Sequence, residues 1–117
     1  MDYKVSKKQF KYFKEVFCDM ADSLGLREYR IHFEFEHEEG GYGSCSADID
    51  GRIAIIKLNP IFEGWEATDD HVRQVAVHEC LELLMWEMYE LASTRWTSKD
   101  RVEAARHAVI RRLEKLI

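Results

Sequence analysis

The sequence is poor in the residues that build disulfide frameworks, cysteine-rich metal sites and phosphate-binding loops. Its three cysteines, Cys18, Cys45 and Cys80, are odd in number and lack C-x-x-C spacing, which favours reduced thiols. Its six glycines form no glycine-rich phosphate loop, and we find no serine-nucleophile motif. No apolar run approaches the length of a membrane span, and the first residues lack the apolar segment of a secretory signal. The pattern predicts a cytoplasmic protein with no membrane association.

The length and the net charge of the chain limit its domain number and the partners that it can bind. A chain of 117 residues can bury one core, so we expect a single domain over residues 1–117. The net charge of −5 is unfavourable for sequence-independent binding to nucleic acid. Basic residues nevertheless recur at helical spacing near the N-terminus, and they leave a nucleic-acid-associated protein as one interpretation. These residues are Lys4, Lys7, Lys8, Lys11 and Lys14.

Local patterns predict an N-terminal helix followed by strands. Residues 6–9 read Ser-x-x-Gln, a capping box, and the apolar residues after them recur at helical spacing as far as Gly25. Apolar and polar residues alternate over residues 31–35, as in a half-buried strand. The Asp-Gly dipeptide at residues 50–51 favours a tight hairpin turn between two further strands.

Two more helices complete the prediction. One extends over about residues 71–91, with Thr68 or Asp69 as its cap. The other begins at a capping box that Thr97 and Asp100 would form and continues to the C-terminus. We therefore predict an α+β fold in which an N-terminal helix, a motif helix and a C-terminal helix pack on a small, three-stranded, antiparallel-rich sheet.

Helical spacing also predicts which faces of the last two helices are buried. It places Arg106 at the border of the buried stripe of the last helix and His78 and Glu82 at the edge of the stripe of the motif helix. The residues expected to point inward are Leu81, Leu84, Met85 and Met88 in the motif helix, and Val102, Ala105, Val109, Leu113 and Leu116 in the last helix.

The motif itself is His78-Glu79-Cys80-Leu81-Glu82, which differs at one position from the zinc-peptidase signature H-E-x-x-H. In that signature, residues four apart share a helix face, so two imidazoles hold one Zn²⁺ while the glutamate after the first histidine acts as general base. Here Glu82 replaces the second histidine.

With this motif, the chain resembles the small zincin-like H-E-x-x-H metallopeptidases encoded by phages and prophages. The resemblance extends in order along nearly the whole chain, and it implies a zincin-like fold. The matching segments are residues 29–31 (Tyr-Arg-Ile), 54–59 (Ala-Ile-Ile-Lys-Leu-Asn), 77–84 around the motif, and 109–114 (Val-Ile-Arg-Arg-Leu-Glu).

Two departures from the family pattern concern the metal. The resemblance implies that the other zinc ligands would stand at the positions of Glu82 and Arg106. Arginine stays protonated and has no lone pair to donate, so Arg106 cannot ligate. A Glu82–Arg106 ion pair would instead join the same two helices. We therefore predict a site that has lost its metal, with no cofactor.

Such a scaffold would act by binding a partner protein. We predict a phage- or prophage-type accessory protein in the host cytoplasm, with an unidentified and possibly host-derived protein as its partner. The exposed strand edge and the former substrate cleft are the expected docking surfaces, because zincin substrates add to that edge as a strand. Tyr42 and Trp65, in the predicted loops, are candidates for the binding surface.

Two other interpretations of the motif remain open. In an active zinc metallopeptidase, His78 and Glu82 would bind the metal, Glu79 would be the general base, and Glu103 or His107 would be the third ligand. In a purely structural interpretation, His78 is a hydrogen-bonded residue at the edge of the core and Glu82 is solvated.

Overall fold

The computed structural model describes residues 1–94 and 97–116. Over these residues the fold is α+β, as predicted, with three helices, a mixed three-stranded sheet and a small two-stranded sheet. The elements are β1 (Asp2–Lys4), α1 (Lys7–Ser23), β2 (Arg30–Phe35), β3 (Gly43–Asp48), β4 (Ile53–Leu58), β5 (Ile61–Glu63), α2 (Asp69–Ala92) and α3 (Lys99–Glu114).

The ends of α1 follow the local sequence signals. The Ser6 hydroxyl accepts a hydrogen bond from the backbone N–H of Gln9, and the Gln9 side-chain oxygen accepts one from the backbone N–H of Ser6. The helix ends before Gly25, whose φ of +71° lies in the left-handed region that glycine adopts without strain. Phe13 and Phe17 are fully buried, so α1 provides one wall of the core.

The three-stranded sheet has the order β2-β4-β3. β4 lies between the other two strands, parallel to β2 and antiparallel to β3. The prediction of an antiparallel-rich sheet therefore misses the parallel pair. β3 follows β2 in the sequence but lies at the opposite edge of the sheet, and β4 then forms between β2 and β3. This order makes β3 an edge strand.

The turn between β3 and β4 differs from the predicted two-residue turn. It spans residues 49–52, and the residue with positive φ is Arg52, at +53°, rather than Gly51. The backbone N–H of Arg52 donates to the carbonyl of Ile49, and the Asp48 carboxylate accepts from the N–H of Asp50. Asp50-Gly51 is thus in a turn, but the turn is longer than the dipeptide indicated.

The caps of α2 and α3 are fixed by hydroxyl groups. The Thr68 side chain accepts from the backbone N–H of His71 and begins α2, as one of the two predicted caps. α3 begins one residue later than predicted, because Ser98 accepts from the N–H of Arg101. The hydroxyl of Thr97 donates instead to the carbonyl of Leu91.

The buried face of α2 differs from the predicted one. Leu84 is buried, as expected, but Leu81 and Met85, which were also expected inside, are 41% and 44% exposed. The helix contacts α1, β3 and α3, so its buried arc is wide and is centred on the side of Ala76, Glu79 and Leu83. The buried face is thus rotated around the helix relative to the predicted one. The apolar stripe does not predict this rotation, because it contains no information on the number of elements that pack against the helix.

α3 is also less buried than predicted. Ala105 and Val109 lie in the core. Val102, Leu113 and Leu116 were expected to be buried and are instead exposed. Within residues 1–94 and 97–116, no helix combines the length and the apolar character that crossing a membrane requires.

Candidate functional site

A groove of about 780 Å³ lies between the edge strand β3 and the first half of α2. The motif residues form its helical side, and the strand and two neighbouring loops form the rest. The groove is lined by Gly41, Tyr42, Gly43, Ser44, Cys45, Gly64, Trp65, Gln74, Val75, His78, Glu79 and Glu82.

Gly43 allows β3 to lie directly on α2. A Cβ atom at this position would be 2.8 Å from the backbone oxygen of Lys57 and 2.8 Å from Val75 Cγ1. It would also be 3.3 Å from Glu79 Oε2. A backbone oxygen of the central strand cannot move aside easily, so only glycine fits here. The strand therefore crosses the helix beside the Glu79 carboxyl group.

Glu79 is the buried carboxyl group of the groove. It is 5% exposed, and its side chain makes no hydrogen bond to any residue that the structure describes. Burial raises its pKa from 4.5 to about 7, with smaller upward contributions from the carboxylates of Glu82 and Glu38 and an opposing one from His78. Near neutral pH this group is poised between its acid and its carboxylate form.

His78 and Glu82 lie at the mouth of the groove. The His78 ring nitrogen Nε2 is 3.4 Å from Glu82 Oε1, as helix residues four apart permit. Their side chains are 71% and 50% exposed. His78 is thus a solvent-facing residue rather than a histidine at the edge of the core, and Glu82 is solvated, as the structural interpretation expects.

The structure does not bring the candidates on α3 into the groove. Glu103, Arg106 and His107 are exposed, and none of them is among the described residues that line it. Glu82 is paired with His78, and no Glu82–Arg106 ion pair is formed between these two described residues.

The position of α3 explains why. Ala105 and Val109 hold the helix against α2, and Arg112 Nη2 donates to Glu28 Oε1 at 2.6 Å. These contacts fix α3 through residues on other faces than that of Arg106. The helix stripe predicted that Arg106 borders the buried face, but it did not predict which neighbour that border meets.

The donor set does not fit the zinc site that the resemblance implies. His78 and Glu82 could supply two ligands, but a catalytic zinc needs three protein ligands. In the part of the chain that the structure describes, no group of three His, Cys, Asp or Glu side chains is placed to hold a metal ion. We therefore assign no step to a metal.

Two aromatic side chains, Tyr42 and Trp65, form part of the groove lining. The rings of Tyr42 and Trp65 are 4.8 Å apart, and Trp65 also stacks with Phe62 at 5.7 Å and His71 at 4.0 Å. The Tyr42 hydroxyl donates to the backbone carbonyl of Glu63 at 3.0 Å. The structure thus brings the two predicted surface aromatics together in one cluster, which packs partly on the core.

Cys45 faces the same groove from β3. Burial raises its pKa to about 12, and the carboxylates of Glu79 and Glu82 add to the effect. A thiol with this pKa remains neutral and is a poor nucleophile. No local sequence pattern marks Gly43 or Cys45 as groove residues, because their place depends on strand register. His71 shows the same difficulty, since only the fold stacks it on Trp65.

The N-terminal lysines lie elsewhere on the surface. Lys4, Lys8 and Lys11 border a second groove whose lining also includes Glu15 and Asp69. The Lys14 ammonium lies 4.7 Å from the centre of the Phe10 ring. Acidic side chains therefore interrupt this basic surface, which is a poorer phosphate-binding surface than the lysine spacing indicated.

Comparisons of this chain with family models, with curated proteins and with solved structures gave no match. The zincin-like family therefore remains a prediction from the motifs.

Proposed function

We propose that this protein binds an extended segment of a partner protein in the groove between β3 and α2. The segment adds to the outer edge of β3 as a further strand. The observation that carries this proposal is the position of β3, an edge strand that forms one side of the groove. Unpaired strand edges are templates for β-augmentation.

The register identifies the backbone groups that would pair with the segment. The N–H of Asn59 donates to the carbonyl of Tyr42 at 2.9 Å. Since hydrogen-bonded residues alternate along an antiparallel pair, Ser44 and Ser46 pair with β4. The amides and carbonyls of Gly43, Cys45 and Ala47 then point to the outer edge, where the described chain has no strand.

The aromatic cluster supplies packed apolar surface to the groove lining. Tyr42 and Trp65 are half-buried, so each combines an anchored ring with accessible apolar surface. Rigid aromatic side chains of this kind supply binding area at a low cost in conformational entropy. We propose that they pack against side chains of the bound segment. The further assignment to a phage- or prophage-type accessory protein rests on the resemblance of the motifs alone.

Binding without a metal distinguishes this proposal from a zinc peptidase. Glu79 lies in the groove where a general base would stand, but the third ligand is missing from the described residues. Zinc bound near one equivalent by untagged wild-type protein, together with peptide hydrolysis that Glu79→Gln abolishes, would favour the peptidase instead.

The proposal is tested with peptides selected from a random display library and then measured by fluorescence anisotropy in the presence of a chelator. Ala47→Pro removes an outward N–H of an edge strand, where proline is tolerated. We expect this variant to fold and to bind the peptides with an affinity that is lower by roughly tenfold or more, because main-chain hydrogen bonds supply the affinity of an added strand.

Lys8→Ala is the matched control, since it changes an exposed residue of the second groove. It should bind the peptides as tightly as wild type. Equal affinity of Ala47→Pro and wild type would contradict strand addition at β3.

A further inference from the structure

We infer that the bound segment presents a lysine or arginine side chain to Glu79, with Glu82 at the mouth of the groove as a second carboxylate. This inference rests on the proposed function, because it names the chemistry of the segment that the same groove accepts.

The first observation is the state of the Glu79 side chain. It is 95% buried, lines the groove, and has no hydrogen-bond partner among the described residues. Its oxygens are not among the fully enclosed unpaired polar atoms of the described residues, so they are open to the groove. A ligand that enters the groove and donates to this carboxyl group would satisfy it.

The second observation is the charge around it. The groove lining includes the carboxyl groups of Glu79 and Glu82, and no Lys or Arg belongs to the described lining residues. Lys57, on the neighbouring strand, is already held by Glu34 at 3.4 Å and Glu38 at 3.1 Å. Apart from the His78 imidazole, which lies near Glu79 and is turned toward Glu82, the described lining offers Glu79 no basic group. A lysine or arginine from the segment would form charge-assisted hydrogen bonds there.

The third observation is the path to the carboxyl group. Gly43, in β3, has no side chain, and its missing Cβ would be 3.3 Å from Glu79 Oε2. A strand added beside β3 would therefore pass Gly43, where no side chain of β3 covers the Glu79 carboxyl group. The apolar stem of a lysine or arginine can pack on the adjacent Tyr42 ring while its charged end reaches inward.

The test uses a random peptide library displayed between fixed flanking sequences, so that no free N-terminal ammonium is close to the variable segment. We expect the selected peptides to share a Lys or Arg at one position. Replacing that residue by Met in a synthetic peptide should weaken binding to wild-type protein by roughly tenfold or more. This measurement needs no protein variant.

Glu79→Gln should weaken the original peptides by a similar factor and should bind the Met peptide as wild type does, because the lost interaction is the same one. Glu82→Gln, at an exposed position, should cost less, about threefold. Glu114→Gln removes one exposed acid from α3 and controls for net charge, so its affinity should equal that of wild type.

Selected peptides without a shared basic residue, bound equally by wild type and by Glu79→Gln, would overturn this inference. If Ala47→Pro still abolished their binding, strand addition at β3 would stand without it. Peptides whose binding ignores Ala47→Pro would overturn the proposed function itself.

Discussion

The groove and the last helix differ in how closely their residues are constrained. In the groove, Gly43 lies against Val75 and against the backbone of β4, and Glu79 is buried beside it. On α3, Ala105 and Val109 are buried, while Glu103 and Arg106 face solvent. The zinc site that the resemblance implies would need both regions. The comparison indicates that close packing holds the groove residues in place, whereas α3 mainly covers the core.

The largest expected effect tests the constraint in the groove. Gly43→Val adds a branched side chain whose Cβ would be 2.8 Å from the backbone oxygen of Lys57. We expect a loss of about 4 kcal/mol or more in the free energy of unfolding, because the strand has to leave the helix. Urea denaturation measures this loss.

Gly41→Ala is the matched control for that variant. Its Cβ would meet its nearest neighbour at 3.6 Å, an ordinary contact. It should change the free energy of unfolding by less than about 1 kcal/mol. Similar losses in the two variants would mean that β3 does not lie on α2 as described.

The second prediction concerns the pH dependence of stability. Burial raises the pKa of Glu79 from 4.5 to about 7 in the folded protein. Between these values the unfolded chain releases the proton and the folded protein keeps it, so stability falls as pH rises through this window. Glu79→Gln removes the effect and should gain roughly 3 kcal/mol relative to wild type between pH 4.5 and about pH 8.

The measurement is the difference between the two stabilities in urea at each pH. Groups other than Glu79 titrate in both proteins and cancel in this difference. A difference that does not change with pH would show that the Glu79 carboxyl group is solvated and that the groove is open to water at this point.

The third prediction compares two arginines of α3. The Arg112 side chain is 16% exposed and donates to Glu28 at 2.6 Å. Arg112→Ala should therefore cost about 1 kcal/mol. Arg106 is exposed, and Arg106→Ala should change stability by less than about 0.5 kcal/mol. If thermal denaturation showed a larger loss of stability for Arg106→Ala than for Arg112→Ala, this result would support the predicted ion pair between Arg106 and Glu82.

The smallest expected effect is on metal affinity. Glu82→His restores the H-E-x-x-H pattern, and adding Arg106→Glu would supply the third ligand that the resemblance implies. Because Arg106 lies outside the groove lining, we expect the single and double variants to bind zinc with equal affinity in a competition titration. A roughly tenfold tighter double variant would place Arg106 beside the motif.

The sequence predicts what short-range chemistry decides. The capping box of Ser6 and Gln9, the helix end at Gly25 and the cap at Thr68 are confirmed, because each depends on residues only a few positions apart. The position of the motif on a helix beside strands is likewise predictable from periodicity.

Long-range register decides the rest. The parallel pairing of β2 with β4 and the two-stranded sheet of β1 and β5 join segments that are distant in sequence. The burial of Glu79 depends on where β3 crosses α2, and the motif does not contain this information. From the motif alone, Glu79 is predicted only to be a general base in a catalytic site. Which residues surround Arg106 is likewise a matter of helix packing rather than of spacing.

The most direct test of the account is amide hydrogen exchange along β3, with and without a selected peptide and with metal chelated. We predict that the peptide slows exchange at Gly43, Cys45 and Ala47, whose N–H groups point outward, and leaves Ser44 and Ser46 unchanged because β4 already holds them. Unchanged exchange at the three outward amides, or slowing that requires zinc, would contradict binding of a partner segment at this edge.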